Sequence, residues 1–216
     1  MSTSSLPLPP HTASMLERVR KQCASGHSEW QDCTDAETSV AVERYTSHTM
    51  YEQEIDKLFR KLPLIALHSS ELQAGQVLAH DGYGVPILLS RDIDGVVRAH
   101  LNVCRHRGTR LVESSTAIAK NSIVCPYHGW TYQLNGKLRH RLHAESFDQK
   151  DCADEDLVAL PCEERHGLIW VQANTDKASQ PMDIAAYLGE LDGEMPFYEI
   201  ENLTHFRTIE AEYPAN

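Results

Sequence analysis

The chain has 216 residues, 41% of them hydrophobic, which is enough apolar content to bury one good-sized core. Its 31 acidic and 20 basic residues leave a formal net charge of −11, which argues against nucleic acid or an anionic membrane surface as a partner. No stretch reaches the ~20 apolar residues of a spanning helix, and the first ten residues lack the positive start and apolar centre of a signal peptide, so a cytoplasmic protein with no membrane partner is expected.

Residues 1–44 mix a Pro-rich start, a short helical pattern at Met15, Leu16 and Val19, and polar runs, which predicts a flexible N-terminal extension. Order is expected from Tyr45. Within Thr49–Leu62, Met50, Ile55, Leu58, Phe59 and Leu62 are spaced for an amphipathic helix that Pro63 ends. From Leu64 the period shortens to that of strands, over Leu64–Leu67, Gln76–His80, Val85–Ser90 and Val96–Val103. Asp94-Gly95 and Asn135-Gly136 are hairpin signals, the second lying between Trp130–Leu134 and Lys137–Leu142. Ser122–Val124 reads as a short strand, and Gly167–Gln172 as a core strand after a turn at Arg165–Gly167. Pro181–Leu191 then reads as a helix with Pro in its first turn, and Leu203–Tyr213 as a strand. The class is mainly β, with an N-terminal helical segment.

Two segments carry the chemistry: Cys104-Arg-His106 at the end of one strand and Cys125-Pro-Tyr-His128-Gly-Trp130 after another. Each supplies one thiol and one imidazole from a tight loop on a β scaffold, a setting in which strand ends fix direction while the loop wraps a metal. Two cysteines on one iron and two histidines on the other are the ligands of a Rieske [2Fe–2S] cluster, a one-electron carrier. The rival is structural zinc, whose sites more usually read as a Cys pair followed by a His pair. The other four cysteines, Cys23, Cys33, Cys152 and Cys162, are expected to be reduced thiols. His140-x-x-His143-x-Glu145 is the one other cluster worth weighing as an iron site, and it reads as a solvated polar loop.

The segments Asn102-Val-Cys-Arg-His-Arg-Gly108 and Cys125-Pro-Tyr-His-Gly-Trp-Thr-Tyr132 closely resemble the Rieske domain of ring-hydroxylating oxygenase α subunits. The resemblance implies a Rieske [2Fe–2S] β-sandwich domain over residues 45–175, including the preceding helix. Residues 176–216 would be a linker and the start of a truncated α+β catalytic domain. It also implies that Cys104 and Cys125 bind one iron and His106 and His128 the other, with Trp130 packed beside the cluster. Respiratory Rieske proteins carry an extra cysteine in each loop and a serine donor. Here Thr109, Tyr127 and Trp130 stand in those places, which implies a potential in the lower part of the roughly −150 to +300 mV Rieske range.

In that family the mononuclear non-haem Fe(II) that activates O₂, and the pocket for the small-molecule substrate, belong to a C-terminal domain. The chain ends at Ala211-Glu-Tyr-Pro-Ala-Asn216, so it reads as an N-terminal piece with no catalytic residues of its own, expected not to turn over alone. The partners implied are a flavin or ferredoxin reductase and, for the full-length subunit, a homotrimer. A stand-alone Rieske-type ferredoxin is the second reading and a zinc-stabilised interaction module the third.

Overall fold

The computed structural model describes residues 8–25, 39–142, 155–177, 181–209 and 211. The helices at the start are α1 (Pro10–Ala24), α2 (Glu43–Thr46) and α3 (His48–Glu54), followed by one π-turn at Ile55–Phe59. The strands are β1 (Leu64–His68), β2 (Gln76–His80), β3 (Ile87–Arg91), β4 (Val97–Leu101), β5 (Ile118–Ala119), β6 (Ile123–Val124), β7 (Thr131–Tyr132), β8 (Leu138–His140), β9 (Ala159–Leu160), β10 (Cys162–Arg165) and β11 (Leu168–Val171). A short helix α4 (Ile184–Leu188) and several 3₁₀ turns complete the described chain. Among the described residues no helix is long and apolar enough to cross a membrane.

A central antiparallel sheet of order β5-β2-β3-β4-β9 lies between two three-stranded sheets, β1-β11-β10 and β6-β7-β8. Strands β2 and β3 read as almost continuous apolar runs because both faces of that sheet are covered. Leu78, Ile87, Leu89 and Ala99 pack with Ile169 and Val171 of β11 on one side. On the other side Val77, Ala79 and Leu88 pack with Cys104, Ile123, Cys125, Trp130 and Tyr132. Cys125 and His128 therefore sit between β6 and β7 on a small sheet that caps one face of the scaffold, while Cys104 and His106 follow the end of β4 in the central sheet.

Two polar contacts fasten that cap. The buried Ser90 hydroxyl on β3 donates to the Leu134 carbonyl at 2.7 Å. His100 on β4, only 3% exposed, lies beneath the Asn135-Gly136 turn so closely that a Cβ on Gly136 would stand 2.2 Å from its Nε2. Gly136 also has φ +84°, in the left-handed region that favours glycine. The hairpin signal at this dipeptide is thus a close approach as well as a turn.

Several expectations change on contact with the structure. Residues 1–44 include a 15-residue helix, α1, in place of the loose structure expected over that part of the extension; its Met15, Leu16 and Val19 stay exposed. The Thr49–Leu62 helix is shorter: Ser47 caps α3 by accepting from the Met50 N–H at 3.3 Å, and regular helix ends at Glu54. Pro181–Leu191 is not one helix. Asp183 caps α4 through the Ala186 N–H at 2.9 Å, and the chain tightens into 3₁₀ turns from Gly189. Over 203–209 the expected Leu203–Tyr213 strand is absent. Phe206 and Ile209 there are 94% and 73% exposed, and no neighbouring strand among the described residues pairs with this segment. His143 and Glu145, Cys33 and Cys152 lie outside the described residues. Cys23 and Cys162 are free thiols.

Candidate metal centre

The two loops share one backbone frame. The Cys104 N–H donates to the Thr109 carbonyl at 2.8 Å and the Cys104 carbonyl accepts from Gly108 at 3.0 Å. The Cys125 N–H donates to the Trp130 carbonyl at 2.8 Å and the Cys125 carbonyl accepts from Gly129 at 3.1 Å. Each cysteine thus opens a tight loop closed four and five residues later, and the closing glycines take φ +74° and +68°, where a Cβ is strained. Within this shared frame the histidine is the second residue after Cys104 but the third after Cys125.

Geometry brings the four candidates together as two pairs. Cys104 and Cys125 are 2% and 3% exposed, and their thiols lie within hydrogen-bonding reach of one another. The rings of His106 and His128 are 4.6 Å apart at an interplanar angle of 67°. His106 stacks on Trp130 at 4.9 Å and 4°, while His128 packs against Tyr127 at 3.7 Å. Trp130 is 2% exposed, so the neighbour implied by the family resemblance is in place.

The donor set suits a two-iron cluster. His128 Nδ1 is buried without a hydrogen-bond partner, an orphan that normally costs free energy and that a metal would satisfy. Among the described residues no group of three or more His, Cys, Asp or Glu side chains converges on a single ion; a Rieske centre instead takes two thiolates on one iron and two imidazoles on the other. Burial lowers the His106 pKa, helped by His128 and Arg107, which favours the neutral ring that ligates. Burial also raises the Cys104 thiol, opposed by the Tyr132 hydrogen bond; coordination to a metal would deprotonate it outright.

Two residues of the site carried no role in the sequence reading. Tyr132, fully buried, places its hydroxyl 3.3 Å from Cys104 Sγ and accepts from the Arg105 N–H at 3.1 Å. Burial pushes its pKa up, so the phenol keeps its proton and remains a donor. Asn102, also fully buried, donates from Nδ2 to the Val112 carbonyl at 2.6 Å and accepts from the Leu111 and Val112 N–H groups at 3.2 and 3.0 Å. It staples the ends of the first loop together. Both stand inside the quoted motifs; Tyr132 lies on β7 and Asn102 just past the end of β4, and the signal that finds them is a polar group among inward-facing apolar positions.

Comparisons with known proteins agree with this geometry. The family model described as the Rieske [2Fe-2S] domain matches residues 63–162. The chain is 40% identical over 131 residues to the carnitine monooxygenase oxygenase subunit of Acinetobacter baumannii, covering 59% of this chain and 34% of that one. It is 34% identical over 160 residues to the glycine betaine monooxygenase oxygenase subunit of Pseudomonas aeruginosa, covering 73% of this chain and 36% of that one. Among solved structures, the quaternary ammonium Rieske monooxygenase CntA in complex with L-carnitine superposes with a TM-score of 0.65 at 30% identity, covering 74% of this chain and 45% of that one. The chain thus spans 34% and 36% of the length of these two curated relatives. With both ligand loops inside the matched region, the chain carries a Rieske [2Fe–2S] domain and is similar to one part of the Rieske oxygenase subunits.

Proposed function

We propose that Cys104 and Cys125 bind one iron and His106 and His128 the other iron of a [2Fe–2S] cluster, and that the chain is the electron-relay part of an oxygenase subunit. The convergence of a buried thiol pair and an imidazole pair on two loops of one backbone frame carries this reading. When bound, such a cluster accepts and releases one electron at a time. The protein's part is to hold the ligands: Asn102 staples the first loop, Tyr132 donates to a thiolate, and Trp130 fixes the plane of the His106 ring. Electrons come from a flavin- or ferredoxin-type reductase and are destined for a mononuclear iron in the part of a full-length subunit beyond residues 45–175. That subunit acts in the cytoplasm as a homotrimer. Residues 1–44 are an extension and 176–216 lead toward the catalytic part.

The substrate class of the whole oxygenase is a trimethylammonium compound. Support comes from the two relatives named above, whose substrates carnitine and glycine betaine both bear that group. Iron, acid-labile sulfide and EPR analysis of the anaerobically purified chain tests the cluster: equimolar iron and sulfide with a Rieske spectrum is expected, and zinc without sulfide would sink the reading. With reductase and NAD(P)H the chain alone should be reduced yet hydroxylate nothing; product from the chain alone would refute the relay role. A chain extended through its catalytic part should demethylate or hydroxylate trimethylammonium compounds, and turnover of aromatic rings instead would reassign the substrate.

A further inference from the structure

Strand β8 runs out into Arg141, whose guanidinium carbon lies 6.0 Å from the centre of the Trp130 ring. Trp130 in turn lies flat on His106, 4.9 Å away and within 4° of parallel. On its other side Arg141 meets Glu155: Nη1 and Oε2 are 2.8 Å apart, and the two side chains are only 10% and 20% exposed. Glu155 is also within electrostatic reach of the His106 ring. A buried ion pair is a weak source of stability, because the desolvation of both charges offsets much of their attraction. Its placement behind an aromatic ring stacked on a candidate iron ligand asks for another account.

We propose that Arg141 and Glu155 are positioning residues that set the reduction potential of the bound cluster, acting through the Trp130–His106 stack. The inference rests on the cluster reading above. A buried positive charge favours an added electron nearby and a buried negative charge opposes it, with little of the screening that water and salt provide at a surface. Paired, the two nearly cancel and press Trp130 against His106. Taken singly, the two charges act on the ring with opposite sign.

The test uses the full chain with its cluster and compares the unaltered protein with Arg141→Gln, Glu155→Gln and the double variant. Iron and sulfide are measured in each, and the potential is read by anaerobic titration followed by EPR. Arg141→Gln should shift the potential downward, Glu155→Gln upward, and the double variant should return close to the unaltered value. A purely structural role would lower cluster content without moving the two potentials apart, so shifts in one direction, or none, overturn the proposal while leaving the cluster reading intact. An unaltered chain that binds no iron and sulfide overturns both. Should a single variant lose its cluster, the double variant decides, since a potential displaced from the unaltered value in that neutral protein also overturns the proposal.

Discussion

The hydroxyl of Tyr132 lies 3.3 Å from the sulfur of Cys104, which brings a buried side-chain donor to a candidate ligand atom. A hydrogen bond to a thiolate is stronger when the cluster carries the extra electron, so it favours the reduced state. Tyr132→Phe keeps the ring and removes the donor. If the preference is about 1 kcal/mol, the one-electron potential falls by about 40 mV. An unchanged potential in a fully loaded variant would show that the phenol only fills space.

His128→Ala removes an imidazole whose buried Nδ1 has no other partner. The Rieske EPR signal should vanish. Most of the circular dichroism of the β scaffold should remain, because the central sheet packs against β1, β10 and β11 independently of that loop. Normal cluster spectra in this variant would mean that the ligand set is wrong.

Gly136→Ala places a Cβ 2.2 Å from the His100 ring at a φ of +84°. Backbone strain alone costs of order 1–3 kcal/mol, and the clash adds to it, so a loss of at least about 2 kcal/mol is expected in chemical denaturation. Gly95→Ala is the control. Gly95 has a similar φ, +82°, but open space around it, so only the backbone cost should appear; equal losses at the two sites would remove the case for a tight contact at the cap.

His100 gives the fold an acid sensitivity with a defined window. Burial lowers its pKa from 6.5 to about 4, with Arg98 adding to the drop while the Asn135 carbonyl and Asp156 oppose it. The folded protein therefore keeps the ring neutral while the unfolded chain takes up a proton below about 6.5. Stability from this group is fully present above pH 6.5 and is lost as pH falls toward 4, by about 3 kcal/mol at the limit. Denaturation midpoints of the loaded chain and of His100→Gln, compared between pH 7.5 and 4.5, should converge toward acid; parallel profiles would contradict the assignment.

Arg165 and His166 at the β10–β11 turn both reach Asp192, with the His166 Nε2 at 2.7 Å. These partners hold the Asp192 carboxyl well below the usual range, the Arg165 hydrogen bond being the larger cause. The interaction is present above the ordinary carboxylate pKa and is lost as pH falls below it. Asp192→Asn at neutral pH should speed hydrogen exchange through 184–202 and leave β2–β4 protected. Unchanged exchange in 184–202 would show that the turn does not anchor this segment.

Local chemistry was readable where one residue type has one reason to be present. Strand Gln76–His80 appears with the limits its pattern suggests, and Asp94-Gly95 and Asn135-Gly136 make the turns they signal. The thiol and imidazole loops stood out because the sequence repeats the pairing twice. Strands β5 and β9 did not, since two residues each carry no period, and Cys-Glu-Glu-Arg of β10 reads as polar because it lies at a sheet edge. Tyr132 and Asn102 act across gaps of 28 and 10 residues in the chain, distances that pattern does not encode. The Leu203–Tyr213 pattern has the alternation of a strand but no partner among the described residues, and a strand is satisfied only by its neighbour.

The one-residue offset of the histidines within an otherwise common loop frame makes the two imidazoles unequal. His106 is backed by a tryptophan shut away from solvent, whereas His128 leans on Tyr127, which is 61% exposed. A protein surface arriving at this tip meets Tyr127 one ring from His128, while both imidazoles are themselves only partly buried. Two ligands of the same chemistry thus stand in unequal surroundings, one against a buried ring and one against an exposed one.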